Sequence, residues 1–228
     1  MAAMADSSTT RRRGRPVRAG RDDIVATSSR MLASGGAGAF SMRRLADELG
    51  VSTAAVYHHF PTKTRLFIAV LGARADELER PELPADPRDR LVALSVHLLA
   101  ALRRFPWVVD ILLSGEAFGR AALWILDEFI ATATRLGADD EYAGYMYITV
   151  WRYLVGCIVS EHADDERRAA AAGEDPPPHW TAEIDAEDLA DLPAIQRVLP
   201  IWPAVHGGYQ PQAAIEHLVD GLLARIRR

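Results

Sequence analysis

Residues 41 to 63, SMRRLADELGVSTAAVYHHFPTK, predict two short helices joined by a tight turn. Ser41 can cap the first helix because its hydroxyl accepts a hydrogen bond from a free backbone N–H one turn further on. An apolar stripe follows at three- and four-residue spacing and consists of Met42, Leu45, Ala46 and Leu49. Gly50 can end the helix at little cost because glycine readily adopts the left-handed conformation. We therefore expect a helix from Met42 to Leu49 that packs one face inward.

The second helix is predicted to begin after Ser52, which can cap it, and to stop at Phe60. Val56 should point inward beneath the first helix, and Ala46 is small where the two helices must cross closely. The side chains left facing outward near the start of this helix are Thr53, Ala54, Ala55, Tyr57 and His58 or His59. In a helix-turn-helix, this part of the second helix meets base edges and phosphates in the DNA major groove.

The stretch FSMRRLADELGVSTAAVYHHFPTKTRLF is similar to the DNA-binding domain of the TetR family of bacterial transcription regulators. The shared features are the spacing of Ala46, Gly50 and Val56, the tyrosine and His-Phe pair that end the second helix, and a lysine three residues later. The likeness covers about residues 21 to 71, and the remainder matches only in kind, as a helical ligand-binding and dimerising domain. The resemblance implies DNA contacts from Arg43, Thr53, Ala54, Ala55, Tyr57, His59 and Lys63.

Each of these contacts also has a chemical rationale. Lys63 opens a helix that Thr62 can cap, and its ammonium group and the neighbouring free N–H groups can hold one phosphate together. The hydroxyl of Tyr57 can reach a phosphate, although its ring can equally pack within the small domain. His58 and His59 point about 100° apart on a helix, so one is expected to donate to phosphate and the other to be solvated or packed at the domain edge.

Base readout by the second helix should be modest. Thr53, Ala54 and Ala55 offer one hydroxyl and several methyl groups, which suit thymine methyls and little else. Arginines and DNA shape would supply the rest of the specificity. The predicted DNA-contacting set is completed by the two capping serines, Ser41 and Ser52, and by His58.

Residues 1 to 20 form a basic arm that has almost nothing apolar to bury and is predicted to be disordered. Within it, Arg13, Gly14, Arg15 and Pro16 resemble the core of an AT-hook. An extended arginine-glycine-arginine strip is thin enough for the narrow minor groove of A/T-rich DNA. The alternative is a basic tail that only raises non-specific affinity for DNA.

The formal charge of −5 conceals an asymmetry along the chain. Residues 1 to 75 carry 12 basic and 5 acidic groups, a charge of +7, and the remaining residues carry 14 and 26, a charge of −12. The basic part attracts the phosphate backbone and the acidic part repels it. We therefore expect only one end of the protein to meet DNA.

The sequence predicts an all-α protein with two folded units, because alternation of apolar and polar side chains with a period of two is nearly absent. The first unit, residues 21–67, is a three-helix DNA-binding domain with the helix-turn-helix. A linking helix from about residue 63 to 79 joins it to the larger unit, residues 68–228, which is expected to bind a ligand and to dimerise. Helices in that unit are predicted at 88–104, 107–114, 117–136, 139–168, 187–199 and 211–226.

The sequence offers no catalytic or metal-binding motif, and no cofactor is expected. HExxH, GxSxG and paired-cysteine patterns are absent, and the single cysteine, Cys157, lies in an apolar helical run where a thiol is normally inert. One cysteine excludes an intramolecular disulfide framework, which fits a reducing compartment. Since no apolar run approaches the roughly 20 residues of a membrane helix, and no signal peptide is visible, a cytoplasmic protein without membrane contact is expected.

Candidate ligand contacts are drawn from aromatic and polar residues of the larger unit. An aromatic stripe at helical spacing usually belongs to a core or a dimer interface, and that alternative stays open for each residue. The predicted set is His97, Trp107, Phe118, Trp124, Tyr145, Trp151 and Arg152. Their composition suggests a largely apolar or aromatic effector.

The leading hypothesis is a homodimeric, ligand-responsive transcription factor, more often a repressor in such a family, that occupies a pseudo-palindromic operator in double-stranded DNA. A small-molecule carrier or enzyme with an incidentally basic N-terminus is one alternative. An architectural binder of A/T-rich DNA is another, and the arginine arm favours it.

Overall fold

The computed structural model of the chain describes residues 19–115, 117, 119–170, 181, 184 and 186–226. Over these ranges the regular secondary structure is entirely helical, which confirms the predicted all-α class. The N-terminal unit, residues 19–76 and called the head, contains α1 (Arg21–Gly35), α2 (Met42–Glu48), α3 (Thr53–His59) and α4 (Lys63–Asp76). The body contains α5 (Pro87–Arg104), α6 (Trp107–Leu113), α7 (Leu123–Arg135), α8 (Asp140–Ala170), α9 (Pro193–Val198), α10 (Trp202–Gly207) and α11 (Pro211–Ile226).

Some predicted helices differ in extent from those observed. The helix expected from residue 117 begins at Leu123, after a short 3-10 turn at Arg120–Ala122. The helix expected over 187–199 is divided into α9, α10 and two 3-10 turns, Ala186–Leu189 and Leu199–Ile201. A proline lies in the first turn of α9, of α10 and of the Leu199–Ile201 turn. Proline is tolerated in the first turn of a helix but disrupts its interior, so each proline begins a separate segment. The boundary predicted between residues 67 and 68 falls inside α4.

The head is built by local capping as the sequence predicts. The hydroxyl oxygens of Ser41, Ser52 and Thr62 accept hydrogen bonds from the backbone N–H groups three residues on, at 3.1, 3.2 and 3.1 Å. Gly50 adopts a φ of 66°, the left-handed value that ends α2. These local contacts set the angle between α2 and α3 because each helix can begin only where its cap stands.

The head has its own hydrophobic core, and α6 of the body contributes to it. Leu45 and Val56 are fully buried between α2 and α3, and Phe67 packs against Phe40 with ring centroids 5.2 Å apart. Trp107 belongs to the same buried cluster although it lies on α6. The head therefore does not fold around a separate core, because α6 of the body contributes to the same hydrophobic cluster.

The body core is formed by α5, α7, α8 and α11. The apolar face of α11 is buried inside the protein's own core, where Ile215 and Val219 are fully covered. The Tyr142 hydroxyl of α8 donates a hydrogen bond of 2.8 Å to the Leu222 carbonyl and fixes α11 in place. Any contact of α11 with a partner must use its other face.

Among the described helices, none is by itself long and apolar enough to cross a membrane. The bent pair Pro87–Arg104 and Trp107–Leu113 passes the same test of length and composition when its two members are taken together.

Candidate nucleic-acid interface and internal cavity

The outer face of α3 presents the predicted contact residues to solvent. Val56 is fully buried beneath α2, which leaves Ala54, Tyr57 and His58 exposed. Tyr57 has 45% of its surface accessible, an unusual exposure for an aromatic side chain that only packs in a small core. The structure therefore places Ala54, Tyr57 and His58 on the exposed side of α3, whereas Thr53, Ala55 and His59 are partly covered.

The two adjacent histidines diverge as the helix geometry requires. The rings of His58 and His59 lie 5.4 Å apart and are inclined by 76° to each other. His58 is exposed and His59 is half-buried at the end of α3. His58 is thus the more accessible of the two, whereas the family resemblance implies a DNA contact from His59.

Lys63 stands at the first position of α4, next to the end of α3. Its Nζ lies 4.9 Å from the ring centroid of Phe67, a cation–π distance that holds the ammonium group over the head. Because the free N–H groups at the start of a helix attract anions, a lysine at this position gives this end of α4 the chemistry of a phosphate site. Arg43 is exposed on α2, and the Ser41 and Ser52 hydroxyls cap α2 and α3.

Two further cations border this surface, and the sequence reasoning did not select them. The guanidinium carbon of Arg21, at the start of α1, lies 4.4 Å from the ring centroid of Phe60. Arg44 donates from Nη1 to the Ala39 carbonyl oxygen at 2.6 Å. The pairing of Arg21 with Phe60 joins residues far apart in sequence, and no local pattern signals it. The remaining predicted cations, Arg13 and Arg15, lie outside the described residues.

A partly open cavity of about 250 Å³ lies where α4 of the head meets the body. Its lining comes from α4, α5, α6, α7, α8 and the turn at Arg120–Ala122. The lining residues are Leu71, Arg74, Ala75, Leu78, Leu98, Ala101, Leu102, Phe105, Val108, Leu112, Gly119, Ala122, Ile125, Tyr147 and Trp151. Apolar side chains dominate this set, as in cavities that take apolar small molecules.

The polar part of the cavity is concentrated at its rim, between α4 and α5. Nη2 of Arg74 lies 2.8 Å from Oε1 of Glu77, and the other carboxylate oxygen of Glu77 is 3.8 Å from Nη2 of Arg104. The ring centroid of Phe105 lies 5.6 Å from the guanidinium carbon of Arg74 and 5.2 Å from that of Arg104. We call these four residues the rim cluster.

Tyr147 adds a second polar group to the lining. Its ring packs edge-on against Phe129 at 5.5 Å, and burial raises the pKa of its hydroxyl. The hydroxyl therefore stays protonated at neutral pH and can act as a donor.

The structure brings one member of the predicted ligand set, Trp151, to this cavity. Trp107 is buried in the head core, and Tyr145 and Arg152 are exposed on the outer side of α8. His97 packs against Trp124 at 5.7 Å outside the cavity, and burial lowers the pKa of its imidazole. Phe118 lies outside the described residues.

Sequence reasoning missed Arg74, Phe105 and Tyr147 as cavity residues. A weak signal existed for Arg74, which is a single charge among apolar residues on the helix that was expected to link the two units. Phe105 and Tyr147 carry no such signal. Their position depends on how distant helices pack.

Two sequence families match the chain. Residues 24–70 match the bacterial regulatory proteins of the tetR family, and residues 80–206 match the C-terminal domain of tetracyclin repressor-like proteins. Because the second match alone covers more than half of the residues, the chain belongs to the TetR family of bacterial regulatory proteins.

The chain is also similar to individual proteins of known name. It is 30% identical over 146 residues to the HTH-type transcriptional repressor DrrR1 of Streptomyces coeruleorubidus, covering 61% of this chain and 53% of that protein. The chain thus spans about half the length of this curated relative.

Solved structures show the same fold. The Streptomyces coelicolor TetR family protein ActR in complex with actinorhodin is 20% identical, with a TM-score of 0.63 over 92% of this chain and 99% of ActR. BioQ with its double-stranded DNA operator is 22% identical, with a TM-score of 0.55 over 90% of this chain and 98% of BioQ. BioQ has also been solved from Mycobacterium smegmatis.

Proposed function

We propose that the protein is a homodimeric transcriptional repressor that binds a pseudo-palindromic operator through α3 and is released by a small, largely apolar or aromatic effector. One observation carries this proposal. The helix that begins with Lys63 at the predicted DNA surface ends at Arg74 and Ala75 in the wall of the cavity. A single rigid element therefore connects the two candidate sites.

The geometry of α4 and α6 suggests how an effector would act. A helix of the length of α4 is about 20 Å long, so a displacement at its cavity end moves Lys63 at the other end. Helix α6 lies between the two sites, with Trp107 and Ile111 in the head core and Val108 and Leu112 in the cavity wall. An effector that fits better when α4 and α6 have shifted would favour the arrangement that does not fit DNA.

Dimerisation is supported by apolar side chains that a single chain leaves exposed. Tyr145, Ile148 and Val159 lie on the outer side of α8, and each has more than half of its surface accessible. A second exposed apolar group follows along α9 and α10 and consists of Leu192, Ile195, Val198, Ile201, Trp202 and Val205. Exposed apolar surface of this extent is typical of an interface, and we assign it to a second copy of the chain.

The effector class is supported by the cavity and by one relative. The described lining contains a single charged side chain, Arg74, among mostly apolar residues. ActR, which shares the fold, has been solved in complex with actinorhodin. We propose that this chain also takes an aromatic effector.

The basic N-terminal residues are assigned a supporting role. We propose that Arg13 and Arg15 enter the minor groove beside the operator, because an arginine-glycine-arginine strip fits that groove. Removal of residues 1–18 should then weaken binding to an operator flanked by A/T pairs more than to one flanked by G/C pairs.

Genomic footprinting with purified protein tests the proposal. We expect one or a few symmetric sites, each bound by two chains, and a steep log-linear loss of affinity with salt as counterions are released. Broad protection of A/T-rich DNA would instead favour an architectural binder. Salt-insensitive or absent binding would favour a carrier or an enzyme, whereas we propose that the chain acts by binding operator DNA in the cytoplasm without catalysis.

A further inference from the structure

The rim cluster contains an unused hydrogen-bond donor. Nε of Arg74 is completely buried, and no hydrogen-bond acceptor faces it among the described residues. Nη2 of the same guanidinium pairs with Glu77. A buried donor without an acceptor is unfavourable and rare in folded proteins. Arg74 is also the charged residue in the described lining of the cavity.

The charges around this donor define which acceptor is favoured. The rim cluster holds two guanidinium groups, Arg74 and Arg104, and one carboxylate, Glu77, which leaves one positive charge in excess. Glu77 and Arg104 are more exposed than Arg74, so solvent screens them more strongly. The cavity side of the cluster is thus the more strongly cationic side.

We propose that Arg74 is the anchor for an anionic oxygen, such as a carboxylate or a phenolate, carried by an otherwise apolar aromatic effector. This inference rests on the proposed effector cavity and names the chemical group that the cavity selects. The planar guanidinium group suits such an oxygen because it presents several donors at fixed angles.

The same anchor couples binding to the position of α4. Arg74 and Glu77 lie at the end of α4, and Glu77 contacts Arg104 at the end of α5. An anion bound to Arg74 competes with Glu77 for the guanidinium group. The Arg74–Glu77 pair at the end of α4 then loosens, Glu77 can move closer to Arg104, and the contact between the ends of α4 and α5 changes.

Two fluorescent probes test the anchor without knowledge of the natural effector. The anion 8-anilino-1-naphthalenesulfonate and the neutral N-phenyl-1-naphthylamine share one aromatic frame and differ in the sulfonate. We expect the full-length protein to bind the anion roughly tenfold more tightly than the neutral probe, as a charge-assisted hydrogen bond allows. Arg74→Gln should remove that preference and leave the affinity for the neutral probe unchanged.

Matched variants make the result specific. Arg104→Gln removes an arginine that does not line the cavity, so this variant should retain most of the preference for the anionic probe. Glu77→Gln should increase that preference, because it frees Arg74. Ala122→Phe, which fills the cavity, should abolish binding of both probes to this site. An unchanged preference in Arg74→Gln, an equal loss in Arg104→Gln, or probe binding that ignores Ala122→Phe would each overturn the proposal.

Operator affinity separates this inference from the proposed function. If the parent protein binds no operator while the anion preference still depends on Arg74, the regulatory function fails and the anchor stands.

Discussion

The head and the body position their candidate functional side chains by different physical means. In the head, α3 is seven residues long, and its exposed face is fixed by a serine cap, one glycine and one buried valine, all within ten residues. In the body, the cavity is lined by six elements that extend from Leu71 to Trp151. A surface made by local geometry depends on few interactions, whereas a cavity made by distant helices depends on the packing of the whole body.

This difference has a consequence for the effects of substitutions. A change at the DNA-contact residues of the head should alter DNA binding alone, because those residues do not line the cavity. A change in the cavity wall should reach the DNA surface through α4 and α6, because both helices contribute to the head core and to the cavity wall.

The largest effect is expected from Val56→Asp, which buries a carboxylate beneath α2. Val56 has no accessible surface, and an unpaired buried charge is strongly destabilising. Operator affinity should fall roughly a hundredfold or more, because each 1.4 kcal/mol lost from the free energy of binding lowers the affinity about tenfold. Ile68→Asp, a similar change at a side chain that is 42% exposed, is the control and should retain DNA binding. Equal losses in both variants, measured by fluorescence anisotropy, would contradict the local construction of the head.

A smaller effect is expected from Lys63→Ala, which removes a phosphate contact. Affinity should fall on all DNA sequences by a similar factor, roughly tenfold, and the salt dependence should become shallower. Thr53→Ala should instead reduce discrimination between operator variants. Binding isotherms on an operator and its single-base variants distinguish the two, and sequence-blind effects from both substitutions would refute this division of roles.

Gly119→Ala tests transmission from the cavity wall to the head. A Cβ atom at Gly119 would lie 3.3 Å from Cβ of Leu71 on α4, a distance that forces a small shift. We expect operator affinity to fall by roughly three- to tenfold, as overpacking by one methyl group allows. Gly72→Ala on α4 is the control: the added Cβ atom has no neighbour within 4 Å, so operator affinity should be unchanged. Full operator affinity in Gly119→Ala would show that α4 does not transmit the strain.

The smallest effect is expected from Glu128→Gln, in the body alone. Glu128 accepts a hydrogen bond from Arg90 at 2.7 Å, and this bond lowers the pKa of its carboxyl group. Because this pKa is lower in the folded than in the unfolded state, the ionised carboxyl group stabilises the protein at pH values above its unfolded-state pKa. The stabilisation is lost as the pH falls through the folded-state pKa. The variant should lose less than about 1 kcal/mol at pH 7 and nothing in strong acid, by thermal unfolding. Asp127→Asn, at an exposed neighbour, is the control, and a loss that persists in acid would exclude the ion pair as its cause.

The same contrast explains what the sequence could predict. The caps at Ser41, Ser52 and Thr62 and the burial of Val56 follow from spacing within a few residues, and all were predicted. The cavity could not be predicted in this way, because Phe105 and Tyr147 meet only after α5 and α8 pack. Aromatic character alone selected Trp107, which the structure places in the head core. Amphipathicity correctly identified α11 as a helix, but it did not tell whether its apolar face meets the chain's own core or a partner.

The most direct test of the central claim is the distance between the two heads of the dimer. Spin labels at Ala26→Cys in a Cys157→Ser background report that distance, because Ala26 is exposed on α1. On operator DNA we expect one narrow distribution of label distances, consistent with the two α3 helices of the dimer lying about 34–36 Å apart. Filling the cavity with Ala122→Phe should shift the distribution and weaken operator binding together. A cavity-filled dimer that folds normally, keeps the same distribution and binds the operator at full affinity would contradict the claim.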